Sequence, residues 1–314
     1  MPTFDGFPHV MVSQQFSRQW IVEEFFPLVD QMKHIFVSGG CDMLKGKRMV
    51  SFFYQPSTRT RMSFEFAIGY LGGNVLFSTE NAREFSSGAK GESLKDTILV
   101  INRYRPDVIV LRYDRELGSE VVSGISRVPV INAGDRNPGQ HPTQGLLDLN
   151  TIKKHFGHID GLTVTMVGDL KNGRTVRSLS YLLGKFGRIS INFVSPPNLA
   201  MKSDVKEYLF KHGVEVEEFT DLRRVAPASD VIYQTRTQTE CGSTMNGKDG
   251  YFRIDQTILD MLNTDTIIMH PLPKLDEIAS EVDDDSRAVY LTDQIDSGLF
   301  TRMALLKMIL APKR

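Results

Sequence analysis

The chain has 314 residues, with 37 basic and 38 acidic side chains and a formal net charge of −1. That length exceeds one ordinary hydrophobic core and predicts two domains. The even charge balance, the lack of a long basic stripe and the lack of an apolar run of spanning length argue against a nucleic-acid partner or a membrane span.

The two cysteines, Cys41 and Cys241, lie far apart. They resemble neither a disulfide framework nor a zinc ligand set, and fit a reducing cytoplasm. The start, Met1-Pro2-Thr3-Phe4-Asp5, lacks a basic segment followed by an apolar one, so no signal peptide is expected. The expected location is cytoplasmic, or an organelle reached by a transit peptide that has been removed.

The first strong element is an apolar run over 49–54, read as a buried strand. Pro56 ends it, Ser57 or Thr58 is a candidate helix cap, and a mostly buried helix follows from Met62. The segment Ser57-Thr58-Arg59-Thr60-Arg61 therefore falls on a helix N-terminus at the end of a strand. Free N–H groups and the positive end of the helix dipole make that an anion site, and Arg59 adds a forked, charged grip. A capped helix with solvated charges is the plainer reading. The segment lacks the Gly-x-x-x-x-Gly-Lys-Ser/Thr pattern of a nucleotide P-loop.

A strand is predicted over 74–77, then a polar loop, Ser86-Ser87-Gly88-Ala89-Lys90-Gly91-Glu92, read as mobile. A helix over 93–104, strands over 108–112 and 128–131 and a helix over 144–156 complete the first half. A short polar link near 157–161 places the boundary near residue 150, giving domains 1–150 and 151–314. The second half shows strand patterns over 163–168, 189–194, 214–217, 231–235 and 266–270. Helices are predicted over 175–185, 256–262 and 299–310, the last able to pack back on the first domain. The alternation predicts an α/β chain: two domains, each with a central, mainly parallel sheet flanked by helices.

Arg112, His141 with Gln144, Asp169 through Arg174, Arg236 and His270 with Pro271 all fall after predicted strands. In open α/β sheets that edge binds ligands, so the expected active site is an interdomain cleft. His9, His34, His155, His158 and His212 carry no partner pattern and read as surface or packing residues. His270 reads as a structural hydrogen-bonder. The Gly168–Gly173 spacing is wrong for a dinucleotide loop.

Five segments together resemble the aspartate/ornithine carbamoyltransferase family. They are Ser57-Thr58-Arg59-Thr60-Arg61, His141-Pro142-Thr143-Gln144, Gly168-Asp169-Leu170-Lys171-Asn172-Gly173-Arg174-Thr175, Thr235-Arg236-Thr237-Gln238 and His270-Pro271-Leu272-Pro273. Each is modest alone; their order and spacing together are specific. The stretch from Thr79 to Ser87 and the ending from Gly298 to Leu306 look most like plant-type aspartate members. Ornithine members usually carry His-Cys-Leu-Pro and an Asp-x-x-x-Ser-Met-Gly loop, neither of which is present.

The resemblance implies transfer of a carbamoyl group from carbamoyl phosphate to L-aspartate, the committed step towards pyrimidines, without cofactor or metal. It implies that Ser57, Thr58, Arg59 and Thr60 bind the phosphate, with Ser86, Pro271 and Leu272 also at the carbamoyl phosphate. Arg112 would bridge phosphate and carbamoyl oxygen, His141 and Thr60 would approach that oxygen, and Gln144 would hold the carbamoyl amide. Lys90, Arg174, Arg236 and Gln238 would hold aspartate, a dicarboxylate that needs cationic partners. The loop with Ser86 and Lys90 would enter the neighbouring site of a homotrimer. Phe85 would belong to a loop through which uridine monophosphate inhibits. Alternatives are a transcarbamoylase for another amino acid and a non-catalytic ligand-binding paralogue. Three positions depart from the family pattern, Gln55 for Glu, Cys241 for Arg and Lys274 for Arg. They bear on domain closure and, more weakly, on acceptor choice.

Overall fold

The computed structural model describes residues 9–115, 118–135, 139–236 and 252–311. Gln238 and Cys241 lie outside them. The chain divides into two compact units, Met1–Leu146 with Ser297–Arg314, and Leu147–Asp296. The division falls inside the Pro142–Phe156 helix, and the 157–161 link lies within the second unit.

Unit one holds a parallel sheet in the order β2-β1-β3-β4. Its strands are β1 Arg48–Phe53, β2 Asn74–Thr79, β3 Val108–Arg112 and β4 Val130–Asn132. β1 and β3 are almost wholly buried, and they read as unbroken apolar runs because both faces are covered. Val10 extends the sheet past β4, donating from its N–H to the Val130 carbonyl (2.9 Å) and accepting from Asn132 N (2.8 Å). Parallel neighbours need crossovers, supplied by the Thr58–Tyr70 and Leu94–Tyr104 helices.

The first helices, Arg18–Trp20 and Phe26–Val37, are not among the predicted elements. A π-helical turn, Ile21–Phe25, joins them, so Pro27 lies inside one continuous helical stretch, just after the turn where Phe26 N donates to the Ile21 carbonyl. The last helix runs Asp293–Leu310, starting earlier than the predicted 299. From Ser297 on it belongs to unit one, where Phe300 meets Phe36 at 5.5 Å between rings and Lys307 Nζ donates to Gln31 Oε1 (2.7 Å).

Unit two holds a parallel sheet in the order β7-β6-β5-β8-β9. Its strands are β5 Thr163–Val167, β6 Ser190–Val194, β7 Glu215–Phe219, β8 Val231–Gln234 and β9 Ile267–Met269. The edge strand β7 carries Glu215, Glu217 and Glu218, charges that discourage edge-to-edge pairing. The predicted helix over 256–262 is one short turn, Gln256–Leu259, capped by Asp255. Among the described residues, no helix is long and apolar enough to cross a membrane.

Candidate active site

In each sheet the chain reverses its winding direction once. In unit one that happens between β1 and β3; in unit two, between β5 and β8. At such a switch point the connections leave in opposite directions and open a crevice at the carboxyl ends of the strands. Ser57–Thr60 and Arg112 follow or end the strands that flank the first of these points, and Arg174 and Arg236 follow those that flank the second.

In unit one, Phe53 is paired with Arg112, and Tyr54 N donates to the Arg112 carbonyl (2.8 Å). The end of β1 and the side chain closing β3 are thereby held side by side. Ser57 takes the N-cap position of the Thr58–Tyr70 helix, but its hydroxyl makes no capping bond. Thr58 does not cap either; its hydroxyl donates to Glu80 Oε1 (2.6 Å). The expected side-chain cap is therefore not formed. The first-turn N–H groups lie beyond the reach of intrahelical acceptors, which suits an anion. Arg61 is turned away, bonded to Ser78 (2.8 Å), Glu65 (3.3 Å) and Glu80 (3.5 Å). Arg59 stays exposed, while partial desolvation pulls its guanidinium below the usual arginine range without removing its charge.

Thr60, His141 and Gln144 are buried. Thr60 Oγ1 lies 3.4 Å from His141 Nε2, and Thr143 Oγ1 lies 3.3 Å from His141 Nδ1, so the ring is held from both sides. The His141 carbonyl accepts from Gln144 N (2.9 Å) and Gly145 N (3.1 Å), which starts the helix and fixes Gln144 one turn along. Arg112 Nη1 donates to the Ala133 carbonyl (3.2 Å). A hydroxyl and an imidazole thus meet at the Thr58–Tyr70 helix N-terminus, in the unit whose β3 ends in Arg112 and whose Pro142–Phe156 helix carries Gln144 in its first turn. That arrangement can hold a phosphate and polarise a carbonyl oxygen next to it.

The segment read as a mobile loop is built of two short turns, Ala82–Phe85 and Ser87–Lys90. Ser86 Oγ accepts from Gly88 N (3.1 Å) and donates to the Ala82 carbonyl. Arg83 is paired with buried Asp114, and that bond raises the pKa of Arg83. Lys90 is exposed, and Phe85 is 79% exposed, so apolar burial within its own chain does not anchor the loop.

In unit two, Gly168 ends β5 at φ 110°, where an added Cβ would stand 2.4 Å from the Thr235 carbonyl oxygen. Only glycine lets the two strand ends approach so closely. Thr235 N and Oγ1 both donate to the Val167 carbonyl (2.8 and 2.9 Å), closing the junction. Asp169 accepts from Asn172 N (3.1 Å) and Nδ2 (3.2 Å), shaping the turn that ends at Gly173. Arg174 then opens the Arg174–Leu183 helix and Arg236 follows β8, both half-buried. Two guanidinium groups are placed at adjacent strand ends, a fit for carboxylates. Gln238 falls outside the described residues.

Beyond β9, Leu272 adopts φ 55°, a left-handed conformation that leucine rarely takes, and the Leu272–Pro273 bond is cis. His270 Nδ1 accepts from Leu272 N (2.8 Å), and His270 Nε2 lies 2.9 Å from Glu277 Oε1. Burial works to raise the Glu277 carboxyl pKa, but His270 and backbone N–H groups hold it below the usual range. His270 is therefore a structural residue here. Lys274 lies 2.9 Å from Asp283. Sequence reading missed Asp114, Glu80 and Glu277, whose partners lie 31, 22 and 7 residues away. No local pattern marks such contacts.

Residues 9–154 match the family described as aspartate/ornithine carbamoyltransferase, carbamoyl-P binding domain, and residues 160–309 match its Asp/Orn binding domain. The chain is 50% identical to aspartate carbamoyltransferase 1, chloroplastic, of Pisum sativum, covering 96% of this chain and 78% of the relative. It is 42% identical to the aspartate carbamoyltransferase catalytic subunit of Methanopyrus kandleri, covering 96% of each. Among solved structures, it resembles aspartate transcarbamoylase from Trypanosoma cruzi in complex with carbamoyl phosphate and aspartate. The TM-score is 0.90 at 36% identity, with 96% of this chain and 97% of that one covered.

Proposed function

This chain belongs to the aspartate/ornithine carbamoyltransferase family, and from that premise we propose that it carbamoylates L-aspartate. It takes the carbamoyl group from carbamoyl phosphate and yields N-carbamoyl-L-aspartate and phosphate, within pyrimidine biosynthesis. The observation that carries this reading is the contact of Thr60 with His141 at the Thr58–Tyr70 helix N-terminus, in the unit that also holds Arg112 and Gln144.

The first-turn N–H groups, Ser57, Thr58 and Arg59 hold the phosphate, and Arg112 spans it and the carbamoyl oxygen. The aspartate α-amine attacks the carbonyl carbon, and its lone pair becomes the new C–N bond. Negative charge gathers on the carbamoyl oxygen, where Thr60, Arg112 and His141 stabilise it; one such donor is worth about 2.7–4 kcal/mol of barrier. Gln144 fixes the carbamoyl amide. The bond to the phosphate oxygen then breaks, and the departing phosphate takes the amine proton, so no protein base is needed. Pro271 and Leu272 contact the carbamoyl phosphate, which gives the left-handed backbone at Leu272 a use. Arg174, Arg236, Gln238 and Lys90 hold aspartate. Holding two small anions in contact supplies much of the remaining rate.

The working assembly is a homotrimer in which Ser86 and Lys90 serve a neighbouring site. Support comes from exposed apolar side chains in unit one: Met62 and Phe66 on the Thr58–Tyr70 helix, and Leu76 and Phe77 on β2, an edge strand. A soluble monomer rarely leaves such an edge bare. Uridine monophosphate inhibits by placing its phosphate on the Ser57–Thr60 helix end, with exposed Phe85 holding the loop and Lys90 withdrawn. The protein acts in the cytoplasm, or in an organelle as the chloroplastic relatives do.

Phosphate release measured with aspartate, with ornithine and with no acceptor tests the activity. The expected result is turnover with aspartate alone. Turnover with ornithine would replace the acceptor, and none with either would leave a binding paralogue.

A further inference from the structure

Asp148 is fully buried in the middle of the Pro142–Phe156 helix, one turn beyond Gln144. Its carboxylate accepts from Tyr233 OH at Oδ2 (2.7 Å) and from Gln294 Nε2 at Oδ1 (2.7 Å). Gln294 in turn accepts from His270 N through Oε1 (3.0 Å). His270 then receives Leu272 N at Nδ1 (2.8 Å), and its remaining ring proton faces Glu277. The chain of bonds runs without a break from Asp148 to the left-handed Leu272.

An ionised carboxylate can only accept, and Tyr233 OH and Gln294 Nε2 both donate to Asp148. Gln294 must therefore turn its NH2 towards Asp148, which leaves its oxygen, and not its nitrogen, facing His270 N. Were the amide reversed, two donors would meet at His270 and the turn would lose its anchor. We propose that Asp148 is a positioning residue: its charge sets the orientation of the Gln294 amide and so the pose of the His270-Pro271-Leu272 turn. The consequence for turnover rests on the reading that Pro271 and Leu272 contact carbamoyl phosphate.

Four variants test this in the full-length enzyme: Gln294→Glu, Asp148→Asn, the double Asp148→Asn/Gln294→Glu, and Tyr233→Phe. Gln294→Glu sets two acceptors face to face, and KM for carbamoyl phosphate should rise about tenfold, the scale of one charged hydrogen bond lost. Asp148→Asn keeps an acceptor oxygen for the Gln294 amide while its NH2 can donate to the Tyr233 hydroxyl, so it should show a smaller defect of the same kind. In the double variant, the amide introduced at position 148 donates to the carboxylate introduced at position 294. That carboxylate still accepts from His270 N, so kcat/KM should return to within about threefold of wild type. Tyr233→Phe removes the Tyr233 bond to Asp148 without disturbing Gln294; it should lower stability and leave KM unchanged.

Hydrogen exchange of the peptide over 268–275 gives a readout separate from activity. It should accelerate in Gln294→Glu, recover in the double variant and stay at the wild-type rate in Tyr233→Phe. Failure of the double variant to recover either exchange or KM would overturn the proposal, as would a KM defect in Tyr233→Phe equal to that of Gln294→Glu. Exchange that accelerates and recovers while KM stays constant throughout would instead refute the contact of Pro271 and Leu272 with carbamoyl phosphate.

Discussion

Gly168→Ala is the substitution whose cost the structure defines best. The new Cβ would lie 2.4 Å from the Thr235 carbonyl oxygen and 2.8 Å from Thr235 Oγ1, at a backbone φ of 110°. The nearest atom is backbone, so no side-chain rotation relieves the contact. Restoring an ordinary separation needs a shift of about 1 Å at the ends of β5 and β8, the scale at which overpacking costs roughly 1–3 kcal/mol. The left-handed backbone adds about 1–2 kcal/mol for a residue with a Cβ. A weakened Thr235–Val167 bond adds about 1 kcal/mol. The expected loss is therefore about 3–6 kcal/mol in unit two.

Gly213→Ala is the control, because Gly213 has φ 71° but nothing within 4 Å of the added atom. It should show the backbone cost alone, about 1–2 kcal/mol. The assay is denaturant unfolding followed by far-ultraviolet circular dichroism. The single tryptophan, Trp20, lies in unit one and would miss the event. Arg236 follows Thr235 directly, so KM for aspartate should also rise in Gly168→Ala. A Gly168→Ala protein no less stable than Gly213→Ala, with an unchanged KM for aspartate, would refute the reasoning.

Arg59→Ala and Thr60→Ala should each collapse turnover in a folded protein, and near-normal kcat/KM in soluble Arg59→Ala would remove the phosphate assignment. Arg174→Ala and Arg236→Ala should each impair aspartate use by about 1.5–3 kcal/mol in kcat/KM, with calorimetric binding of carbamoyl phosphate nearly unchanged. A large loss of that binding would move these arginines to the phosphate site. Hybrids reassembled from Lys90→Ala and His141→Ala chains should recover activity; verified hybrids without recovery would mean Lys90 does not act across subunits. Uridine monophosphate should inhibit in competition with carbamoyl phosphate, and Phe85→Ala should lose that inhibition. Unaltered rates at saturating nucleotide and limiting carbamoyl phosphate would end the regulatory reading.

By itself the sequence determined the strands, because a buried parallel strand must be an unbroken apolar run and a nearby apolar-periodic segment must be its crossover. β1, β3, β5 and β8 were legible for that reason, as were Arg112 and Arg236 at their ends. The family motifs carried the candidate roles of Ser57 through Thr60, His141 and Gln144. Tertiary structure decided what those side chains touch. It left Ser57 without a capping bond, gave Thr58 to Glu80 and turned Arg61 away from the helix end. It also joined Asp148 to Tyr233, 85 residues on, and to Gln294, 146 residues on. A local pattern fixes the path of the backbone because each residue's neighbours along the chain limit its conformation and burial. The partner of a buried charge is chosen by which strands and helices come together, and that information exists only once the sheets have closed around it.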